Sequence, residues 1–221
     1  MKSQRSLEGA HLRVRAHAGS IAHRRAVVLL AILCGVMLGV VRAEVSRTAV
    51  VQQTVDAVVA VLADKSLTAD QKRTKIQDIV YDHFDFKTLA RLVLARNWKQ
   101  LSSEQQKDFV EEFKKHLSMT YSKNVETYNN ERAEVTGDRA EPGGDWTVKT
   151  KIVRPGGADI LVDYRLRQED GGWKAIDVII EGVSLVANFR SQFQEIVSNQ
   201  GPQKLIDLLR EKNAKGEPLK S

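Results

Sequence analysis

Twice along this chain the spacing of apolar residues changes, from three or four to two and back again. That switch limits the possible folds more than any other feature. Val51, Val55, Val58 and Leu62 recur at helical spacing, as do Ile76, Ile79, Val80 and Phe84. Thr68-Ala69-Asp70-Gln71 is a capping-box pattern, in which a hydroxyl and an amide satisfy free N–H groups at a helix start. Asp85 can cap a third helix carrying Leu89, Leu92 and Val93. Ser102 or Ser103, with Gln105 or Gln106, can cap a fourth, whose stripe is Phe109, Phe113, Leu117, Tyr121, Val125 and Tyr128. From Trp146 the period is two: Trp146, Val148, Thr150 and Ile152, then Ile160, Val162, Tyr164 and Leu166, then Trp173 to Ile180. An earlier strand is expected at Ala133 to Gly137. Pro155-Gly156-Gly157 and Asp170-Gly171-Gly172 read as turns. Short turns between alternating strands predict an antiparallel sheet with one dry face. Helical spacing returns with Ser184 as cap and Val186, Phe189, Phe193, Ile196 and Val197 inward. Gly201-Pro202 breaks that helix, and Leu205, Leu208 and Leu209 line a last one. The expected fold class is therefore α+β, an antiparallel sheet covered on one face by helices. A curved sheet closed by helices makes a cone, and a cone can enclose a pocket.

The first 43 residues differ from the rest. Lys2, Arg5, Arg13, Arg15, Arg24 and Arg25 form a basic start, and Ala26 to Val41 run apolar without a charge. Val41-Arg42-Ala43 offers small-residue cleavage, so residues 1–43 read as a secretory signal removed after Ala43. The apolar run falls short of the roughly 20 residues of a spanning helix; an uncleaved anchor is the alternative. Arg24-Arg25 lacks the flanks of a twin-arginine signal, and Cys34 sits behind bulky Leu33, where a lipoprotein signal wants a small residue. Residues 44–221 are expected to form a single domain with a loose polar tail at about 213–221.

Charge follows the same division. Residues 1–43 hold seven of the 34 Lys and Arg and one of the 28 Asp and Glu, which leaves 27 of each in residues 44–221. The domain has no basic excess to neutralise phosphates, so nucleic-acid binding is not expected. Cys34 is the only cysteine and lies in the leader, so the domain must be held by its core.

The chain lacks most catalytic patterns. The domain has two histidines, His83 and His116, and no cysteine, which cannot assemble a zinc site of the usual N/S type. Asp82-His83-Phe84-Asp85 reads as a helix end with its cap. In Glu181-Gly182-Val183-Ser184-Leu185, Val186 stands where a nucleophile elbow needs its second glycine. No glycine-rich run ends in Gly-Lys-Ser/Thr, so no phosphate loop is present. All thirteen Trp, Tyr and Phe residues lie after residue 43, mainly on expected inner faces. Packed core and a lipid pocket use the same residue types, and composition leaves both open.

Several stretches resemble one family. Glu181-Gly182-Val183-Ser184-Leu185-Val186-Ala187-Asn188-Phe189-Arg190-Ser191-Gln192-Phe193 is similar to its most specific motif, and Trp173-Lys174-Ala175-Ile176-Asp177-Val178 to the strand that leads into it. Phe84-Asp85-Phe86-Lys87-Thr88-Leu89-Ala90, Trp98, Gln105 and Phe109-Val110-Glu111-Glu112-Phe113 resemble its helical half. The family is the periplasmic phospholipid-binding proteins of the Mla pathway, the MlaC or toluene-tolerance proteins. Ala95 departs from it, standing where the family has Gly, and the leader is longer than usual.

The resemblance implies a cone of the nuclear-transport-factor-like type and a soluble periplasmic carrier, not an enzyme. It implies phospholipid as cargo, with no cofactor and no metal, and the acyl chains buried between sheet and helices. The implied partners are an inner-membrane ABC transporter complex, with its substrate-binding membrane subunit, and an outer-membrane lipoprotein–porin complex; a monomer is expected. Residues expected to line the pocket by apolar contact are Leu89, Leu92, Val93, Phe113 and Tyr121 from the helices and Val148, Ile160, Val162 and Tyr164 from the sheet. Val183, Leu185, Val186 and Phe189 join them from the signature segment. The alternatives are a pocketed enzyme of the same architecture, an isomerase or dehydratase with Asp177 as its base, sharing a face with Trp173, and a periplasmic chaperone with an external apolar patch.

Overall fold

The computed structural model describes residues 45–122 and 128–219. Residues 1–43, expected as a secretory leader and including Cys34, and Val125 lie outside the described residues. Helix α1 spans Arg47–Ala63, α2 Ala69–His83, α3 Phe86–Leu94 and α4 Ser103–Ser122. Strands β1 Arg132–Ala140, β2 Trp146–Val153, β3 Ile160–Glu169, β4 Gly172–Ile180 and β5 Val183–Ser184 follow, then α5 Leu185–Gln200 and α6 Pro202–Lys215. The fold class is α+β, as the spacing predicts.

The caps fall where the sequence places them. The Thr68 hydroxyl accepts from the Gln71 N–H, and the Gln71 side chain accepts from the Thr68 N–H. Asp85 accepts from Thr88 N–H at 3.0 Å. Ser102 and Gln105 form the same reciprocal pair as Thr68 and Gln71. Ser184 accepts from Ala187 N–H at 3.0 Å. Each such cap is worth about 1 kcal/mol. Two boundaries differ from expectation. Tyr128 lies outside the described helix, so the α4 stripe does not reach it as helix. The tail is tied down rather than loose: α6 runs to Lys215, Asn213 donates to the Glu112 carbonyl at 2.9 Å, and Leu219 packs against the helical core.

The sheet is antiparallel in the order β1-β2-β3-β4-β5. Its register stacks Trp146, Val148, Thr150 and Ile152 beside Leu166, Tyr164, Val162 and Ile160, which defines an inner face. Val178 and Ile180 continue it on β4. A bulge follows: Arg165 pairs with Asp177, but Leu166 pairs with Ala175, leaving Ile176 as an extra residue. The extra residue puts Asp177 on the outer face while Trp173 and Ala175 stay inside. The expected shared face of Asp177 and Trp173 is therefore corrected.

Two separate cores hold these elements. One lies among the helices, where Phe109, Phe113, Phe189 and Phe193 meet with ring centroids 5.1–5.8 Å apart, joined by Leu89, Val93, Leu205 and Leu209. Burying each such side chain contributes about 1.5–3 kcal/mol. The other lies under α1, where Val51 and Val55 cover Ala133, Val148, Leu166 and Ala175. Phe84 packs against both.

Candidate functional site

Helices α1 and α2 form a hairpin anchored to opposite edges of the sheet. At one edge, Gln52 of α1 pairs with strand β1 as a peptide unit would: its amide donates to Ala133 O at 3.3 Å and accepts from Val135 N–H at 3.1 Å. At the other, Lys174 of β4 donates to the Asp82 carbonyl, and Asp85 N–H donates to Ala175 O at 3.0 Å. Tyr81 and Ser118 join α2 to α4 through their hydroxyls at 3.0 Å.

The apolar side chains of this region are not sealed. Helix α2 buries no residue fully, although Ile76, Ile79 and Val80 form a stripe of three aliphatics. Val58, Val59 and Leu62 of α1 are likewise half-buried. On the inner face of the sheet, Val148 is 0% exposed, whereas Ile152, Ile160, Val162, Tyr164 and Ile180 are only half-buried. These half-buried aliphatic side chains of α1, α2 and the inner sheet face make up an apolar tract that is incompletely covered. Leaving apolar area in water forfeits about 25 cal/mol for each Å². The Tyr164 hydroxyl sits there without a protein hydrogen bond among the described residues, and burial pushes its pKa up to about 12.

The expected pocket residues divide into three groups. Ile160, Val162, Tyr164, Leu92 and Leu185 are half-buried. Leu89, Val93, Phe113, Val186 and Phe189 lie in the helical core, and Val148 in the core under α1, so their contacts are with other side chains of the chain. Val183 and Tyr121 are exposed, at 60% and 37%. Sequence reasoning did not place Val58, Leu62, Ile76, Ile79 and Val80 in the tract. A helical stripe that is sealed and one that is half-open read alike in sequence.

The polar candidates turn out to be structural. Asp177 is 3% exposed and accepts from Val178 N–H at 2.8 Å, Val186 N–H at 3.0 Å and the Ser184 hydroxyl at 2.6 Å. Ser184 gives its proton to Asp177 while its oxygen accepts from Ala187 N–H, so the fold takes up the hydroxyl proton and three of the carboxylate's acceptor positions. Together they staple the tight β4–β5 turn, where Glu181 and Gly182 both have positive φ, to the start of α5. His116 is 1% exposed: its Nδ1 lies 3.1 Å from Asn213 Oδ1, and its Nε2 accepts from Leu219 N–H at 3.3 Å. Since the Asn213 amide nitrogen donates to Glu112, its oxygen is the acceptor and Nδ1 carries the proton. Burial holds the His116 pKa below the ordinary histidine value. Among the described residues no group of three or more His, Cys, Asp or Glu could hold a metal ion, and no helix is long and apolar enough to cross a membrane.

The model of the MlaC protein family matches residues 52–211. The chain belongs to the MlaC family. Its MlaC relatives include an intermembrane phospholipid transport system binding protein from Haemophilus influenzae, 22% identical over 73% of this chain and 83% of that protein. The toluene tolerance protein ttg2D of Pseudomonas putida is 31% identical over 47% of this chain, and the match spans only 48% of that relative. A solved phospholipid-binding protein from Ralstonia solanacearum, in complex with a phospholipid, superposes with a TM-score of 0.69 at 27% identity. That match covers 79% of this chain and 99% of the other.

Proposed function

We propose that this MlaC-family chain is a periplasmic carrier that binds a glycerophospholipid by its acyl chains along the tract between the inner face of the sheet and the α1–α2 hairpin. The observation that carries the reading is the half-buried state of Ile160, Val162, Tyr164 and Ile180 beside a fully sealed Val148 on the same face. The phospholipid in the Ralstonia solanacearum relative and the name of the Haemophilus influenzae one support it. In this reading the fold works as a cone of the nuclear-transport-factor-like type. Of the other expected residues, Leu92 and Leu185 are half-buried, Val183 and Tyr121 are exposed, and the rest are sealed in the two cores.

The energetics fit a carrier. Burial of one methylene is worth about 0.8 kcal/mol, so two chains of about 15 carbons represent roughly 20 kcal/mol, too much for a lipid to cross water alone. A pocket that both loads and unloads must roughly match a bilayer in affinity. Direction then comes from partners, here an inner-membrane ABC transporter complex with its membrane-bound substrate-binding subunit and an outer-membrane lipoprotein–porin complex. The carrier itself has no phosphate loop to drive the cycle. The lipid is cargo rather than cofactor, and Asp177 and Ser184 are occupied with structure, so the reading includes no reaction. Export by the leader, with cleavage after Ala43, completes it; N-terminal sequencing should begin at Glu44.

Native extraction is the direct test. Residues 44–221, purified without detergent, should yield about one diacyl phospholipid for each chain by mass spectrometry of the organic extract. A protein that is folded but free of lipid, and that takes none from labelled vesicles, would refute the reading.

A further inference from the structure

A recess opens among the helices. It has a volume of about 290 Å³ and is lined by Leu94, Ala95, Arg96, Asn97, Arg190 and Gln194, where the end of α3 meets α5. Its wall contains two guanidinium groups and no carboxylate. Neither Arg96 nor Arg190 has an ion-pair partner among the described residues. The surroundings repeat the imbalance: residues 86–103 carry Lys87, Arg91, Arg96 and Lys99 and not one Asp or Glu, in a domain whose charges cancel as a whole. Like charges converging on one recess without a counter-ion raise each other's free energy, and an anion relieves that.

The two arginines are prepared to different degrees. Arg190 is held: its Nε and Nη2 donate to the Leu92 carbonyl at 3.0 and 2.6 Å, which fixes the guanidinium plane against the last turn of α3. Of five N–H groups, two are used and three remain. Arg96 is exposed and free to close on a ligand. Between them the chain turns at Ala95, with φ 49° and ψ −121°, a conformation that suits glycine. Two planar forks can meet three oxygens of a tetrahedral anion, whereas a carboxylate is satisfied by one. The large exposed apolar side chains of the described residues, Val45, Tyr121, Leu161 and Val183, all lie outside this segment, so the surface lacks the apolar anchors of a protein–protein interface.

We propose that this recess is a phosphate site, with Arg190 as the fixed fork and Arg96 as the closing one. The phosphate is either that of a lipid headgroup in an anionic bilayer surface or free phosphate; both present the same oxygens. The site does not depend on the carrier reading. The test is titration of ¹⁵N-labelled residues 44–221 with sodium phosphate, against sodium chloride at equal ionic strength. Saturable shifts at Ala95, Arg96, Asn97 and the Arg190 side chain with phosphate alone are expected. Arg96→Gln should weaken the binding about 10-fold and Arg96→Lys less, both with unchanged circular dichroism, because a charge-assisted fork is lost. Flotation with vesicles of phosphatidylcholine, with and without 30% phosphatidylglycerol, then separates the sources. Binding to the anionic vesicles that Arg96→Gln abolishes assigns the site to headgroups; phosphate binding without vesicle binding assigns it to free phosphate. Equal shifts with chloride, equal phosphate affinity in Arg96→Gln, or no response to either probe overturns the proposal.

Discussion

Val148 and Val162 make a paired experiment, because they share residue type, sheet face and adjoining strands and differ in cover. Val148 is 0% exposed beneath α1, and Val162 is half-buried. A glutamate at 148 loses about 1.5–3 kcal/mol of burial and places an unpartnered carboxylate in a sealed core, at several kcal/mol more. That sum reaches the total stability of an ordinary domain, about 5–15 kcal/mol, so Val148→Glu should unfold. In the proposed carrier the carboxylate at Val162 can be hydrated once lipid is gone, and the cost to folding should be about 1 kcal/mol. Retaining lipid there would set the charge against acyl methylenes. A penalty of about 4 kcal/mol lowers affinity roughly 1000-fold. The assay is urea unfolding followed by circular dichroism, with extracted lipid phosphorus measured on the same samples. Val162→Glu is expected to be folded and empty. If it unfolds as Val148→Glu does, the tract is ordinary core. If it folds and keeps wild-type lipid, the ligand lies elsewhere. If Val148→Glu folds, the distinction between sealed and open positions is wrong.

Ala95→Gly should stabilise the domain by about 1 kcal/mol, since relief of a positive-φ alanine outweighs the added chain entropy. Calorimetry would show this as a rise of about 2–4 °C in Tm, and no rise would remove strain from the account. Asp177→Ala leaves the Val178 and Val186 N–H groups and the Ser184 hydroxyl without their acceptor; a loss of about 3–5 kcal/mol in urea unfolding is expected. If that variant stays fully stable but loses a measurable turnover on some substrate, Asp177 is catalytic after all. His116 is held neutral by burial, so its folded pKa lies below its unfolded value. Stability should therefore be level above about pH 6.5 and fall as pH drops through the folded pKa. His83, also lowered by burial, adds to the same slope. His116→Phe should flatten the unfolding midpoint between pH 7 and 5; an unchanged slope would assign it to other groups.

The local syntax of this protein was legible in its sequence. Thr68, Asp85, Ser102 and Ser184 cap the helices they were expected to cap, because capping needs only a side chain and the next three residues. The period of two located β2, β3 and β4, and the signature from Glu181 to Phe193 pointed to the family that matches residues 52–211. Periodicity names a face, but it does not say what covers that face. Val148 and Val162 read alike until α1, nearly a hundred residues earlier in the chain, closes over one of them and leaves the other half-open. Leu89, Phe113 and Phe189 read as apolar inner-face residues, and only the convergence of α3, α4 and α5 buries them in one cluster. Asp177 changed face because pairing with β3 left Ile176 as an extra residue, which no alternation along β4 can announce. Arg96 and Arg190 lie far apart in sequence and share a recess only because α5 returns along α3. Cover, register and convergence are relations between distant segments, and only the tertiary structure decides them.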